Sequence, residues 1–159
     1  MIDAQQVAAA GVALLLLCAA NTAAWLAGRL FGRRWAAPLD FGVVLNDGQR
    51  LFGSHKTWRG LVAGAAASGM VAAALGPGFL LGAAFGAASM AGDALSSTIK
   101  RRLRREPGTE VPGLDQVPEA MLPLALFGPA LGLGFLAMVC VTFAFTLLDI
   151  AVTGFRHRP

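Results

Sequence analysis

Long apolar runs alternate along this chain with shorter segments rich in Arg, Gly, Pro and Asp. A helix needs about 20 apolar residues to cross a hydrocarbon core. On that measure the pattern predicts an all-α integral membrane protein with about five transmembrane helices, over 6–28, 60–75, 79–99, 118–128 and 131–153. The fourth run is short, as a tilted or re-entrant segment would be, and Gly128-Pro129 is the natural break after it. Gly76-Pro77-Gly78 reads as an uncharged sharp turn, and Gly60, Gly64 and Ser68 recur every four residues, which permits close helix approach in lipid. Two polar loops remain, 29–59 and 100–118. In the first, Asn46-Asp47-Gly48 between Val43–Leu45 and Leu51-Phe52 reads as a tight turn or short hairpin. The 159 residues are read as one transmembrane domain, 1–159.

Composition strengthens this picture. The chain is 56% hydrophobic and only 14% charged, with a mean hydropathy of +0.63, where a soluble domain would carry about 25% charged residues. Every Lys and Arg falls within 29–59, 100–105 or 156–158. Clustered cations mark the cytoplasmic side. Five spans with the N-terminus outside and the C-terminus cytoplasmic put all three clusters there, whereas four spans would leave Arg156 and Arg158 outside. The expected location is the inner (cytoplasmic) membrane, multi-pass, with the polar loops facing the cytoplasm. The N-terminus has no cationic region before its apolar run, so 6–28 reads as an uncleaved first span rather than a signal peptide. Cys18 and Cys140 lie inside apolar runs, without metal or disulfide spacing. The basic loops flank spans, so no nucleic-acid partner is expected.

Against this apolar background Asp93 stands out. A carboxylate at membrane depth costs about 2.5–3.5 kcal/mol on insertion scales and is expected to face a partner, a cavity or an ion. On a helix Ser89, Asp93, Ser96 and Lys100 share one face, which Gly82 and Gly86 extend backwards. Thr142, Thr146, Asp149 and Thr153 form a second polar stripe, in which Asp149 reads as a hydrogen-bond partner between helices rather than a site residue.

Two loop segments carry the candidate chemistry. Gly53–Gly60 sits where the second span begins, so Lys56, Arg59 and the first backbone N–H groups would make an anion site. The alternative is that Lys56 and Arg59 only anchor the helix at the lipid headgroups, with Trp58 as an interface residue; His55 reads as a loop polar residue. The second segment joins Asp93, Ser96, Lys100 and Arg101 to Pro112–Gln116. Two carboxylates flanked by cations suit a divalent metal that bridges phosphates, since Mg²⁺ takes one or two carboxylates plus phosphate oxygens. The competing reading pairs Asp93 with Lys100, two turns and roughly 10 Å along the helix. Gly128…Gly132-Leu133-Gly134 lacks the preceding strand of a dinucleotide loop. No Walker A sequence, zinc spacing or Ser/His/Asp arrangement stands out.

At these residues the chain resembles the CDP-archaeol synthase family, a small branch of the CTP:phosphatidate cytidylyltransferases, and it is read as a bacterial member. The resemblance rests on Asn21, Pro38-Leu39-Asp40-Phe41-Gly42, Asp47–Arg50, Phe52–Gly60, Ala91–Arg102 and Gly113-Leu114-Asp115-Gln116-Val117-Pro118-Glu119, over about 20–125. The chain departs from the family pattern at Ser54-His55 and in having Glu119 where larger relatives have a second Asp. The resemblance implies a Mg²⁺-dependent transfer of CMP from CTP to a lipid phosphate, giving a CDP-lipid and pyrophosphate. The acceptor would be an isoprenoid ether lipid phosphate or phosphatidic acid. It further implies Asp93, Lys100 and Asp115 as catalytic residues, with Mg²⁺ on Asp93 and Asp115. Asn21, Asp40, Lys56, Thr57, Arg59, Ser96, Arg101 and Gln116 would bind substrate; Lys56 and Arg59 would take the CTP phosphates, and Asp40 cytosine or ribose. The other class considered is a non-catalytic membrane scaffold or small transporter subunit. Membrane lipids are expected partners, and the Gly- and Ala-rich faces are compatible with a homodimer.

Overall fold

The computed structural model describes residues 3–106, 109 and 111–156. Pro107-Gly108 and the side chains of the C-terminal basic cluster, Arg156 and Arg158, lie outside the described residues. The described residues form five α-helices, α1 (Ala4–Phe31), α2 (Trp58–Leu75), α3 (Phe79–Arg102), α4 (Gln116–Phe127) and α5 (Phe135–Arg156), with one 3₁₀ turn at Pro129–Leu131. Four of them, α1, α2, α3 and α5, are long and apolar enough to cross a membrane. At 12 residues α4 is about 18 Å long, too short to span alone, as its sequence predicts.

Local chemistry sets the helix ends. Asp3 caps α1 by accepting from the Gln6 N–H, and Thr57 caps α2 by accepting from the Gly60 N–H. The last helix starts later than its hydrophobic run suggests. Gly132 adopts a left-handed backbone (φ 81°), which interrupts the helical path between the 3₁₀ turn and Phe135. The hairpin reading of loop 29–59 holds: Val44 and Arg50 bridge, and the Gly48 N–H donates to the Leu45 carbonyl.

Small residues decide how closely the helices approach. The glycines of α2 and α3 face each other, so a Cβ on Gly86 would meet Ser68 and the Gly64 carbonyl, and one on Gly82 would meet Ala72. Gly82 and Gly86 therefore serve helix packing rather than extending a polar face. Gly92 lies against the backbone of Pro118 and Glu119 and brings α3 onto α4. The apolar core, with Leu16, Leu17, Phe85, Leu124, Val141 and Phe145, lies between α1, α3, α4 and α5. Large apolar side chains such as Leu15, Val62, Leu80, Leu126 and Phe143 point outward, as lipid-facing residues do. Gly134 comes near Gln6, so the N-terminal ends of α1 and α5 meet at one end of the bundle. Gly28 comes near Arg59 at the other, basic end, which also carries the candidate site.

Candidate active site

The site is built where α3 turns from apolar to basic. A cavity of about 240 Å³ opens there, with Asp93, Ser97, Lys100 and Arg101 of α3 forming one wall. Lys56 and His55 enter from the turn before α2, Asp115, Gln116 and Glu119 from the start of α4, Asn21 from α1, and Asp149 from α5. A second recess of about 230 Å³ shares Asn21, His55, Lys56 and Asp93 with the first and runs between α1 and α2 past Ala24, Trp25, Leu61 and Met90. One compartment is thus charged, and the other carries an apolar wall.

Ion pairing differs from the intrahelical alternative. Asp93 pairs with Lys56 rather than Lys100. Lys100 instead lies 2.6 Å from Asp115 Oδ1 and donates to the Thr109 carbonyl at 3.0 Å. The reason is distance: two helical turns separate Asp93 and Lys100, while the loops deliver a closer partner to each. Arg101 is 4% exposed and donates Nη2 to the Glu106 carbonyl at 2.7 Å; its buried Nε and Nη1 have no partner among the described residues. A buried guanidinium with free donors is costly unless an anion completes it.

Several predicted site residues spend their polar atoms on structure. Asp40 lines neither cavity. Its carboxylate accepts from Arg50 Nη2 (2.5 Å), the Gly42 N–H (3.0 Å) and the Phe52 and Gly53 N–H groups (3.2 Å each). Burial would raise its pKa, but the Arg50 guanidinium and the three amides outweigh that and hold it at about 2. The structure thus assigns Asp40 to folding the loop that presents Gly53 and Lys56. Thr57 borders the second recess, but its hydroxyl caps α2. Arg59 borders it too, with Nη1 donating to the Gly32 and Arg34 carbonyls at 3.0 and 2.6 Å beyond the end of α1.

Ser96 is fully buried and donates to the Asp93 carbonyl; Ser97, its neighbour, lines the cavity instead. At about 100° per residue, Ser96 and Ser97 flank Asp93 by about 60° and 40° on opposite sides. Only the rotation of α3 in the bundle selects between them. Asn21 and Gln116 do line the cavity, and both donate to Asp149, at 3.0 Å each. Asp149 is therefore both the interhelical partner its stripe predicts and a wall of the site. Glu119, 5% exposed, faces the same space. Its sequence signal was its place where larger relatives carry a second Asp, which makes it a lower-ranked candidate ligand, and that of Asp149 was an acid within an apolar span.

The residues present fit a hard divalent cation. Asp93 and Asp115 offer only oxygen donors, and each already balances a lysine in the cavity. No group of three His, Cys, Asp or Glu side chains is arranged for a metal among the described residues. That pattern suits an ion completed by phosphate oxygens and water.

Taken together, the helices and their length and apolarity define a multi-pass helical membrane protein, with a cavity lined by cations and carboxylates at its basic end. A family model described as CarS-like, CDP-archaeol synthase, matches residues 10–77. The chain is 34% identical over 181 residues to the CDP-archaeol synthase of Halorubrum lacusprofundi, covering 96% of this chain and 97% of that one. It is 41% identical over 100 residues to the CDP-archaeol synthase of Methanopyrus kandleri, where the match covers 58% of this chain and just over half, 56%, of the relative. A solved structure described as an intramembrane enzyme for archaeal membrane lipids biosynthesis superposes with a TM-score of 0.69 at 33% identity, covering 89% of this chain and 90% of that one. The chain belongs to the CDP-archaeol synthase family and is a multi-pass membrane protein. These relatives are archaeal, and they bear on the family rather than on the source of this chain.

Proposed function

We propose that this protein transfers CMP from CTP to a lipid phosphate, with Mg²⁺, releasing pyrophosphate and a CDP-lipid, and that the acceptor is an isoprenoid ether lipid phosphate. The observation that carries the reading is Arg101, whose buried Nε and Nη1 have no partner among the described residues and which lines one cavity with the Lys56–Asp93 and Lys100–Asp115 pairs. Three cations, Lys56, Lys100 and Arg101, are thus gathered in one cavity with the carboxylates of Asp93, Asp115, Glu119 and Asp149. Family membership supports the same chemistry, and the sequence motifs bring cytidine and the lipid into it.

A non-bridging oxygen of the lipid phosphate attacks the α-phosphorus of CTP. A new P–O bond forms as the α–β bridging bond breaks, and its electron pair leaves with pyrophosphate. The nucleophile is already an anion, so no strong general base is required. The chain's task is to hold two polyanions together and in line. Lys56 and Lys100, now held by Asp93 and Asp115, are in side-chain reach of arriving phosphates, which compete for them. Arg101 offers a phosphoryl oxygen the N–H groups that have no partner among the described residues. Asp93 and Asp115 would hold Mg²⁺, which when bound neutralises charge on the transferring phosphates. The polar cavity suits the nucleotide, and the adjoining recess, with Trp25, Leu61 and Met90 on its wall, suits the acceptor headgroup with its first apolar carbons. Arg59 borders that recess while bracing the chain after α1. The basic end of the bundle favours an active site facing the cytoplasm in the inner membrane.

The test is pyrophosphate release by purified protein in detergent with CTP, Mg²⁺ and a panel of isoprenoid ether and diacyl phosphates. Turnover that depends on lipid and disappears in Asp93→Asn is expected. Absence of both turnover and CTP binding would overturn the reading, and preference for a diacyl acceptor would overturn the choice of lipid.

A further inference from the structure

Asp149 sits on α5, 33 residues beyond Gln116 and 128 beyond Asn21, yet its two carboxylate oxygens are divided between them. Oδ1 accepts from Asn21 Nδ2 and Oδ2 from Gln116 Nε2, both at 3.0 Å. Gln116 is thereby fixed in one orientation: with its amide nitrogen on Asp149, its Oε1 accepts from the Gly113 N–H at 2.8 Å. The same turn is closed a second time, where the Val111 N–H donates to Asp115 Oδ2 at 3.0 Å, leaving Asp115 Oδ1 to face Lys100 at 2.6 Å. An unbroken chain of polar contacts therefore runs from α5 through Gln116 and the 111–116 turn to the carboxylate that faces Lys100. Among these contacts the turn has two polar ties to other helices, Lys100 of α3 and Asp149 of α5.

We propose that Asp149 is a positioning residue: by orienting Gln116 it sets the 111–116 turn and so the direction in which Asp115 presents its carboxylate. The assignment of Asp115 to the reaction rests on the proposed function; the mechanical link does not. What matters in this role is that Asp149 accepts two hydrogen bonds, not that it carries charge. An amide at position 149 can still accept from Gln116 and donate to Asn21, because Asn21 can rotate its own amide by half a turn to accept. Gln116 has no such freedom, since rotation would set its NH₂ against the Gly113 N–H.

The experiment combines hydrogen exchange of the ligand-free protein with steady-state kinetics. In Asp149→Ala, exchange at the Val111 and Gly113 amides should quicken roughly tenfold as the turn loosens. Given turnover in the unmodified protein, kcat should fall on the order of 10²-fold, as misplacement of a reacting group allows. Asp149→Asn should keep slow exchange and lie within roughly threefold of the parent kcat, because hydrogen bonds survive and only charge is lost. Gln116→Glu, which sets two carboxylates together, should behave like Asp149→Ala and serves where the alanine variant does not fold. Unchanged exchange at Val111 and Gly113 in Asp149→Ala or Gln116→Glu overturns the proposal. So does an Asp149→Asn variant as impaired as Asp149→Ala, since charge would then be what the site uses. If the unmodified protein has no cytidylyltransferase activity, the proposed function fails, and the exchange data alone still decide the role of Asp149.

Discussion

Lys56, in the turn before α2, forms an ion pair with Asp93 in the middle of α3, 37 residues later, and the pair stands on the boundary shared by the two compartments. An acid on a largely apolar helix is thereby neutralised without a dedicated partner on its own helix. Both members are about one-quarter exposed, so the pair is open to exchange with an incoming anion.

The two partners should respond differently to removal. Lys56→Met leaves Asp93 with a cavity to face, so the expected result is a fall in kcat/KM of roughly 10²-fold, carried largely by KM for CTP. Asp93→Asn should lose kcat by roughly 10³-fold with little change in CTP binding by the lysines and Arg101. Equal effects on KM in the two variants, measured by pyrophosphate release over a CTP titration, would contradict this division.

Asp40 makes loop stability depend on acid. Its pKa falls from 3.8 to about 2 on folding, which is worth about 2 kcal/mol in favour of the folded loop. Because the folded value is the lower one, this stabilisation is fully present above pH 3.8 and is lost as pH falls through about 2. Thermal unfolding in detergent should show Asp40→Asn less stable than the parent near neutral pH, with the gap closing between pH 4 and pH 2. A gap independent of pH would show that the carboxylate's charge is not what Arg50 and the amides hold.

Gly92 admits no side chain. A Cβ there would overlap the Pro118 carbonyl and approach the Glu119 backbone, neither of which can rotate away. Gly92→Ala should cost roughly 1–3 kcal/mol and lower activity as well, because the α3–α4 approach sets Asp93 against Glu119 and the start of α4. Gly11→Ala, where nothing lies within 4 Å, is the control and should leave melting temperature and turnover unchanged.

Thr57 separates capping from substrate contact. Its hydroxyl accepts from the Gly60 N–H at 3.2 Å, so Thr57→Val should cost about 1 kcal/mol of stability and Thr57→Ser should restore it. If Thr57→Val instead raises KM for CTP with no change in melting temperature, the hydroxyl belongs to the substrate.

The sequence by itself determined the membrane class, the approximate positions of the helices, the short fourth segment and the polar end of α3. These follow from hydrophobic run length and from helical periodicity, which are local properties. It also located most of the cavity: Asn21, Lys56, Asp93, Lys100, Arg101, Asp115 and Gln116 all line it. Tertiary structure alone decided who meets whom. Periodicity fixes which residues share a face of one helix, but not how far that helix is rotated in the bundle, and so Ser97 rather than Ser96 faces the site. Nor does it fix which distant polar group completes a pair: Lys56 went to Asp93, Lys100 to Asp115, and Asp149 joined α1 to α4. Asp40 and Thr57 carry residue types that suit a site, yet nearby backbone amides claimed their oxygens first, because a loop buried beside a helix start must satisfy its own N–H groups before it can offer anything to a ligand.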